Sequence, residues 1–213
     1  MTTLLPSIIT AIQDTINANA DEVAELDRAI GDGDHVVNLQ RGLAALDAIS
    51  GELDALDWSA AFMKIGLTLM STMGGASGSL FGTLFVSMGK AAKGQELDLT
   101  AFSEVFYQGV ESVKQRGKAD LGEKTMLDTL IPVANQLKQD AEKGVAFEEM
   151  LENIQREAIK GMESTKGMIA TKGRASFLGE RAIGHIDAGA RTSQLMICTV
   201  VDMLLDSRLK PQE

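Results

Sequence analysis

The sequence predicts an all-α fold, and three observations carry that reading. Apolar residues recur at helical spacing along most of the chain. Residues suited to helix N-termini stand just ahead of several of these runs. No convincing stretch alternates apolar and polar residues as a half-buried strand would. About eight helices follow, taken in order. Ile8, Ile12, Ile16, Val23 and Leu26 share one face, with Pro6 near the start. A second helix runs from His35 to Ile49. Asp57 caps a third that carries Phe62, Ile65, Leu69 and Met73. Ser77 caps a fourth through Leu80, Leu84 and Met88. Thr100 caps a fifth with Phe102, Val105, Phe106 and Val110. Thr125 caps a sixth that Pro132 kinks. Residues 146–168 form a seventh, and an eighth begins near Asp187 and includes Leu195 to Leu205.

The 213 residues suit one domain, with neither linkers nor internal repeats. A net charge of −10 argues against a nucleic-acid partner, which would require a basic face. It does not exclude phosphate, because a metal ion can bridge acids to phosphate oxygens. The single cysteine, Cys198, rules out an internal disulfide and reads as a small core residue in "LMICTVV". The N-terminus lacks the pattern of a signal peptide. No apolar run approaches the roughly 18 residues of a membrane span. A cytoplasmic location is the expectation.

Glycines concentrate at 31–33, 74–78, 117–122 and 173–189. These are the loops after the first, third, fifth and seventh helices. In an up-and-down arrangement alternate loops share an end, so all four should gather at one end. The intervening connectors, "SGELDALD" and "KGQELDL", are plain polar links. One end of the molecule is therefore the expected site.

That end carries suitable chemistry. "LDRAIGDGDHVVN" places Asp27, Asp32 and Asp34 around two glycines, which let the backbone fold so that the carboxylates converge. A solvated acidic turn is the competing reading of this loop taken alone. Oxygen-only ligands suit Mg²⁺, Ca²⁺ or Mn²⁺. An EF-hand is excluded, since Leu43 stands where its twelfth-position Glu would fall. "MGGASGSLFG" leads small residues into a helix N-terminus, which favours anions. It is not a Walker A loop, because no Gly-Lys-Ser/Thr follows. "KGRASFLGERAIGHIDAGA" supplies Lys172, Arg174, Arg181, His185 and Asp187. "RGKADLGEKTMLD" offers Gly117 for close approach of a flat ring and Met126 to pack on it. His35 and His185 are the only histidines, and either could meet phosphate or hold structure. Together these elements describe a metal–diphosphate site beside a ring pocket.

The motifs "GDGDH…N", "GGASG…FGT", "RGKA…GEKTMLD" and "KGRASFLGERAIGHIDAGA" resemble the ADP-binding L-subunit family of bacterial dihydroxyacetone kinases, in order and over nearly the whole chain. The resemblance implies an eight-helix antiparallel α-barrel with the nucleotide at one end. It implies two Mg²⁺ ions on Asp27, Asp32 and Asp34. It implies ADP or ATP contacts from His35, Asn38, Ala76, Ser77, Gly117, Met126, Arg174, Asp187, Ala188 and Gly189. His35 and Arg174 would balance phosphate charge. The implied partners are a K subunit holding dihydroxyacetone and, in the phosphotransferase-system form, an M subunit that rephosphorylates bound ADP from a phosphohistidine. Such a chain passes phosphate to a ketone held elsewhere, and the phosphoenolpyruvate-dependent form is favoured.

Three positions depart from the family pattern. Val36 replaces a common Gly and is expected to add bulk near the phosphates; Ala188 and Ser79 stand where Pro is frequent. Two other readings stay open: an ATP-exchanging kinase subunit for another short ketose, or a nucleotide-sensing module that docks on a regulator.

Overall fold

A computed structural model describes Thr2 and residues 4–209. Among these residues there are ten α-helices, two 3-10 segments and no strand. The helices are α1 (Leu5–Ala18), α2 (Ala20–Ile30), α3 (His35–Ala48), α4 (Ser50–Leu53) and α5 (Trp58–Thr72). They continue with α6 (Gly75–Ala91), α7 (Leu99–Gly117), α8 (Leu127–Lys143), α9 (Phe147–Ser164) and α10 (Ala188–Leu209). The 3-10 segments, Thr165–Gly167 and Arg174–Ala182, fall between α9 and α10.

The all-α class stands, and the helix count rises from eight to ten. The first expected helix is two. Asn19 breaks it, because its side-chain amide bonds the Thr15 carbonyl and competes with the backbone ladder. The apolar face continues across the break: Ile16 and Val23 are both fully buried. The connector "SGELDALD" contains the short α4, whose Leu53 is buried.

Two expected caps also move. The α5 N-terminus is capped as expected, with Asp57 accepting from the Ala60 amide at 2.7 Å. Asp98, not Thr100, caps α7, by accepting from Ala101 at 2.8 Å. No side chain caps α6, which starts at Gly74–Gly75 ahead of Ser77. Thr125 does accept from the Leu127 amide at 3.1 Å at the start of α8.

Neighbouring helices pack in the order α1, α3, α5, α6, α7, α8, α9, α10, and α10 returns to α1. Where α10 meets α1, the Thr199 and Thr15 hydroxyls lie 3.0 Å apart. The main core runs through the ring from Ile9 and Leu39 to Phe62, Leu84, Val110 and Leu130. A second cluster, including Leu137, Leu151 and Ile154, fills the space between α8, α9 and α10. Cys198 is half-buried against that second cluster. Pro132 lies inside α8 and has no N–H for the Asp128 carbonyl one turn back. Gly161 of α9 packs directly on that carbonyl: an added Cβ would fall 2.2 Å from it. None of the helices is long and apolar enough to cross a membrane, among the described residues.

Candidate nucleotide and metal site

The four glycine-rich loops meet at one end. They enclose a cavity of about 370 Å³, lined by segments 27–35, 75–80, 124–126, 172–175 and 187–189. That is within the size range of small-molecule and cofactor sites. A second hollow lies along α8, lined by residues such as Asn135, Gln136 and Glu142, and brings no acid cluster or helix N-terminus with it.

The acid loop is built around Asp27, on the last turns of α2. Its carboxylate accepts from the His35 amide at 3.0 Å, which folds residues 31–34 into a tight loop. Gly31 leaves room for that carboxylate, since a Cβ would fall 2.1 Å from Asp27 Oδ1. Oxygens of Asp27, Asp32 and Asp34 come within 4.8 Å of one another. An all-carboxylate set at that spacing, half-buried at Asp27 and exposed at the other two, fits a hard cation that keeps several waters. Arg174 reaches across to Asp32, with 2.7 Å between them. Its side chain is 71 % exposed, so the pair contributes at most about 1 kcal/mol and opens cheaply.

The start of α6 faces this cluster. Gly75 turns the chain at φ +67°, a conformation that favours glycine, and leaves the first-turn amides without a side-chain cap. Ala76 and Ser77 line the cavity beside these amides. Asn38 does not line it. It is buried behind the glycine pair, with its side-chain oxygen 2.4 Å from where a Gly74 Cβ would sit. Gly117 also stands back, behind the lining residue Leu80.

His35 is enclosed. Its Nδ1 lies 3.0 Å from Ser77 Oγ and its Nε2 2.9 Å from Thr192 Oγ1. Burial pushes its imidazolium below the usual histidine range, although Asp27 and Asp34 oppose the shift. Both ring nitrogens are engaged, and the side chain braces the site wall between Ser77 and Thr192. Val36 points into the main core, 4 % exposed, and is not among the lining residues. The expected crowding of phosphate by Val36 is corrected: on the first turn of α3 it follows the apolar face with Leu39 and Leu43.

The third and fourth loops are held by Lys124, which nothing local in the sequence marks. Lys124 is 1 % exposed, and its ammonium donates to the carbonyls of Thr165 and His185. Burial pushes that ammonium down, against the pull of Asp187 and Asp128. Asp128 folds its own loop by accepting from Gly122 at 2.6 Å and Thr125 at 2.8 Å. Lys172 pairs with Glu123 at 3.5 Å, and the Gly184 amide bonds the Lys166 carbonyl at 2.8 Å. Asp187 caps α10 by accepting from Ala190 at 2.8 Å. Burial pushes its carboxyl up to about 6, while the Ala190 amide and Lys124 pull the other way. Met126, Arg174, Asp187, Ala188 and Gly189 all line the cavity. Arg181 and His185 do not. Ser79 is engaged outside it, accepting from Arg116 at 2.7 Å.

The family model for the DAK2 domain matches residues 29–202. The chain is 40 % identical, over 85 % of its length and 86 % of the relative's, to the ADP-binding subunit DhaL of PEP-dependent dihydroxyacetone kinase 1 from Listeria innocua. It is 37 % identical to the corresponding Escherichia coli subunit, over 89 % of this chain and 90 % of that one. It is 38 % identical to the ADP-binding subunit of a PTS-dependent dihydroxyacetone kinase from Lactococcus lactis, over 89 % and 91 %. Its fold is similar to part of the dihydroxyacetone kinase of C. freundii, crystallised with AMP-PNP and Mg²⁺, at a TM-score of 0.75 and 23 % identity, over 95 % of this chain and 34 % of that one. A match that begins at the acid loop and ends within α10 takes in nearly every wall of the cavity, and the chain belongs to the DAK2-domain family.

Proposed function

We propose that this chain is the cytoplasmic nucleotide-binding phosphotransfer subunit of a dihydroxyacetone kinase, acting as one domain over residues 1–213. It would carry ADP or ATP with Mg²⁺ and pass the phosphoryl group to dihydroxyacetone held on a separate K subunit. The observation that carries this reading is the meeting of three carboxylates with an uncapped helix N-terminus across one cavity. Acids alone would repel phosphate, and amides alone would not call for acids. A magnesium nucleotide satisfies both.

Asp27, Asp32 and Asp34 would hold the metal, as two ions, and the metal would neutralise phosphate charge. Ala76 and Ser77 would meet phosphate oxygens through their backbone amides. Met126 and Gly189 would flank the ring, with Asn38 and Gly117 supporting the wall from behind. Arg174 would balance phosphate charge once released from Asp32. His35 would act through Ser77. The relatives' dependence on PEP or the PTS supports ADP that stays bound and is recharged by a phosphohistidine M subunit.

The chain alone, given Mg-ATP and dihydroxyacetone, should make no dihydroxyacetone phosphate. Adding a cognate K subunit should yield one phosphate transferred per loaded chain in a single turnover. Sustained phosphorylation of the ketone by this chain alone would overturn the subunit reading. Mass spectrometry of nucleotide released before and after long dialysis should find retained ADP. Rapid, complete loss of nucleotide would instead favour exchange with free ATP.

A further inference from the structure

Thr192 lies on the second turn of α10 and is fully buried. Its hydroxyl has two neighbours: the Gly189 carbonyl at 3.2 Å and His35 Nε2 at 2.9 Å. On the other side of the ring, Nδ1 meets Ser77 at 3.0 Å. These contacts form one chain from α10 through α3 to α6, and proton counting gives it a direction.

A carbonyl only accepts, and a threonine hydroxyl has one proton to give. When Thr192 donates to Gly189, its oxygen accepts from Nε2–H. A neutral imidazole has only that one proton, so Nδ1 carries a lone pair and Ser77 must donate to it. All three contacts are then made. The reverse direction leaves the Thr192–Gly189 contact without a proton. The consequence falls on the cavity wall. Ser77 has committed its proton to His35, so its oxygen turns only lone pairs toward the cavity.

We propose that Thr192 is a positioning residue: it holds His35 as the Nε2–H tautomer and thereby makes Ser77 an acceptor-only group in the cavity wall. Such a group rejects a bare phosphate oxygen and receives a hydrogen-bond donor, such as water on a bound cation. For the neutral ring the tautomer follows from these three contacts; the identity of the ligand rests on the nucleotide reading above.

The test uses ¹⁵N-histidine-labelled full chain at about pH 8, where an imidazole is neutral. With only two histidines, the His185→Gln variant assigns the signals. Long-range ¹H–¹⁵N correlations should show His35 with its proton on Nε2. Thr192→Val, nearly isosteric, should move the proton toward Nδ1, and Thr192→Ser should restore Nε2–H. Mg-ADP affinity by calorimetry should fall roughly two- to tenfold in Thr192→Val, the equivalent of one hydrogen bond, and stay within about twofold in Thr192→Ser. An Nδ1–H tautomer in the unmutated chain would overturn the proposal, whether or not any variant folds. So would a Thr192→Val chain with unchanged tautomer and affinity. Failure of the unmutated chain to bind Mg-ADP would overturn the nucleotide reading instead, and the tautomer would still decide this one.

Discussion

Replacing Lys124 with methionine isolates what a buried ammonium does for this site. The side chain is 1 % exposed, and it ties the carbonyls of Thr165 and His185 to the loop before α8. Hydrogen bonds from a charged donor contribute roughly 1.5–3 kcal/mol each, so the pair contributes about 3–6 kcal/mol gross. Methionine refills most of the volume and removes the cost of keeping an ammonium out of water, which amounts to several kcal/mol before compensation. The two carbonyls, however, are left without their donor. A net loss of about 2–3 kcal/mol results. For a chain of this size each kcal/mol lowers the melting temperature by roughly 2–4 °C, so a fall of about 4–12 °C is expected by calorimetry. Affinity for Mg-ADP should fall as well, because the segment after His185 carries Asp187 and Ala188 into the cavity wall. A melting temperature within about 2 °C of the parent, with unchanged ADP affinity, would refute the clamp.

Asp32→Asn should leave apparent stability within about 1 kcal/mol, since it gives up only an exposed pair with Arg174, yet weaken Mg-ADP binding at least roughly tenfold by calorimetry; parental affinity would contradict the metal assignment. Gly31→Ala should weaken Mg-ADP binding with the helical circular dichroism intact, because the new methyl would displace the Asp27 carboxylate. Asp187 has a folded value of about 6, above its unfolded one, so folding penalises its ionised form. Its contribution to stability is therefore lost as pH rises from about 4 through about 6. Asp187→Asn keeps a capping side chain and should melt higher relative to the parent at about pH 8 than at about pH 5; an equal offset at both would show that burial does not govern this carboxyl. Gly161→Ala should cost about 1–3 kcal/mol in denaturant unfolding by forcing α9 off the Asp128 carbonyl.

How much of this was legible depended on the range of the forces involved. Helix-forming periodicity is local, and so is a cap such as Asp57, three residues from its amide. Both could be read directly. The convergence of four loops followed from parity alone, with no knowledge of side chains. The division at Asn19 could not be read, because the apolar face keeps its phase from Ile16 to Val23. The start of α6 lies ahead of Ser77 because the helix begins uncapped at glycine, where no capping side chain signals it. Nothing local marks Lys124, since lysines seldom lie fully buried. What draws it inward are carbonyls 41 and 61 residues away, which no local pattern reveals. Thr192 and His35 are separated by 157 residues and were invisible as a pair for the same reason. The motif around Val36 suggests bulk at the phosphates, whereas the helical face it belongs to decides where it points.

The packing of α10 against α1 has a temporal consequence. Chains are made from the N-terminus at about 5–20 residues per second, so the 22 residues of α10 take roughly 1–4 s to add. Until they arrive, the face of α1 around Ile16 and the face of α9 around Ile154 lack their neighbour. The nascent chain passes through a stage in which the acids and the α6 N-terminus are already made, while Asp187, Gly189 and Thr192 are not. No complete ligand cavity exists on that intermediate. A nucleotide that needs every wall of the cavity therefore meets them all only after α10 has taken its place beside α1 and α9.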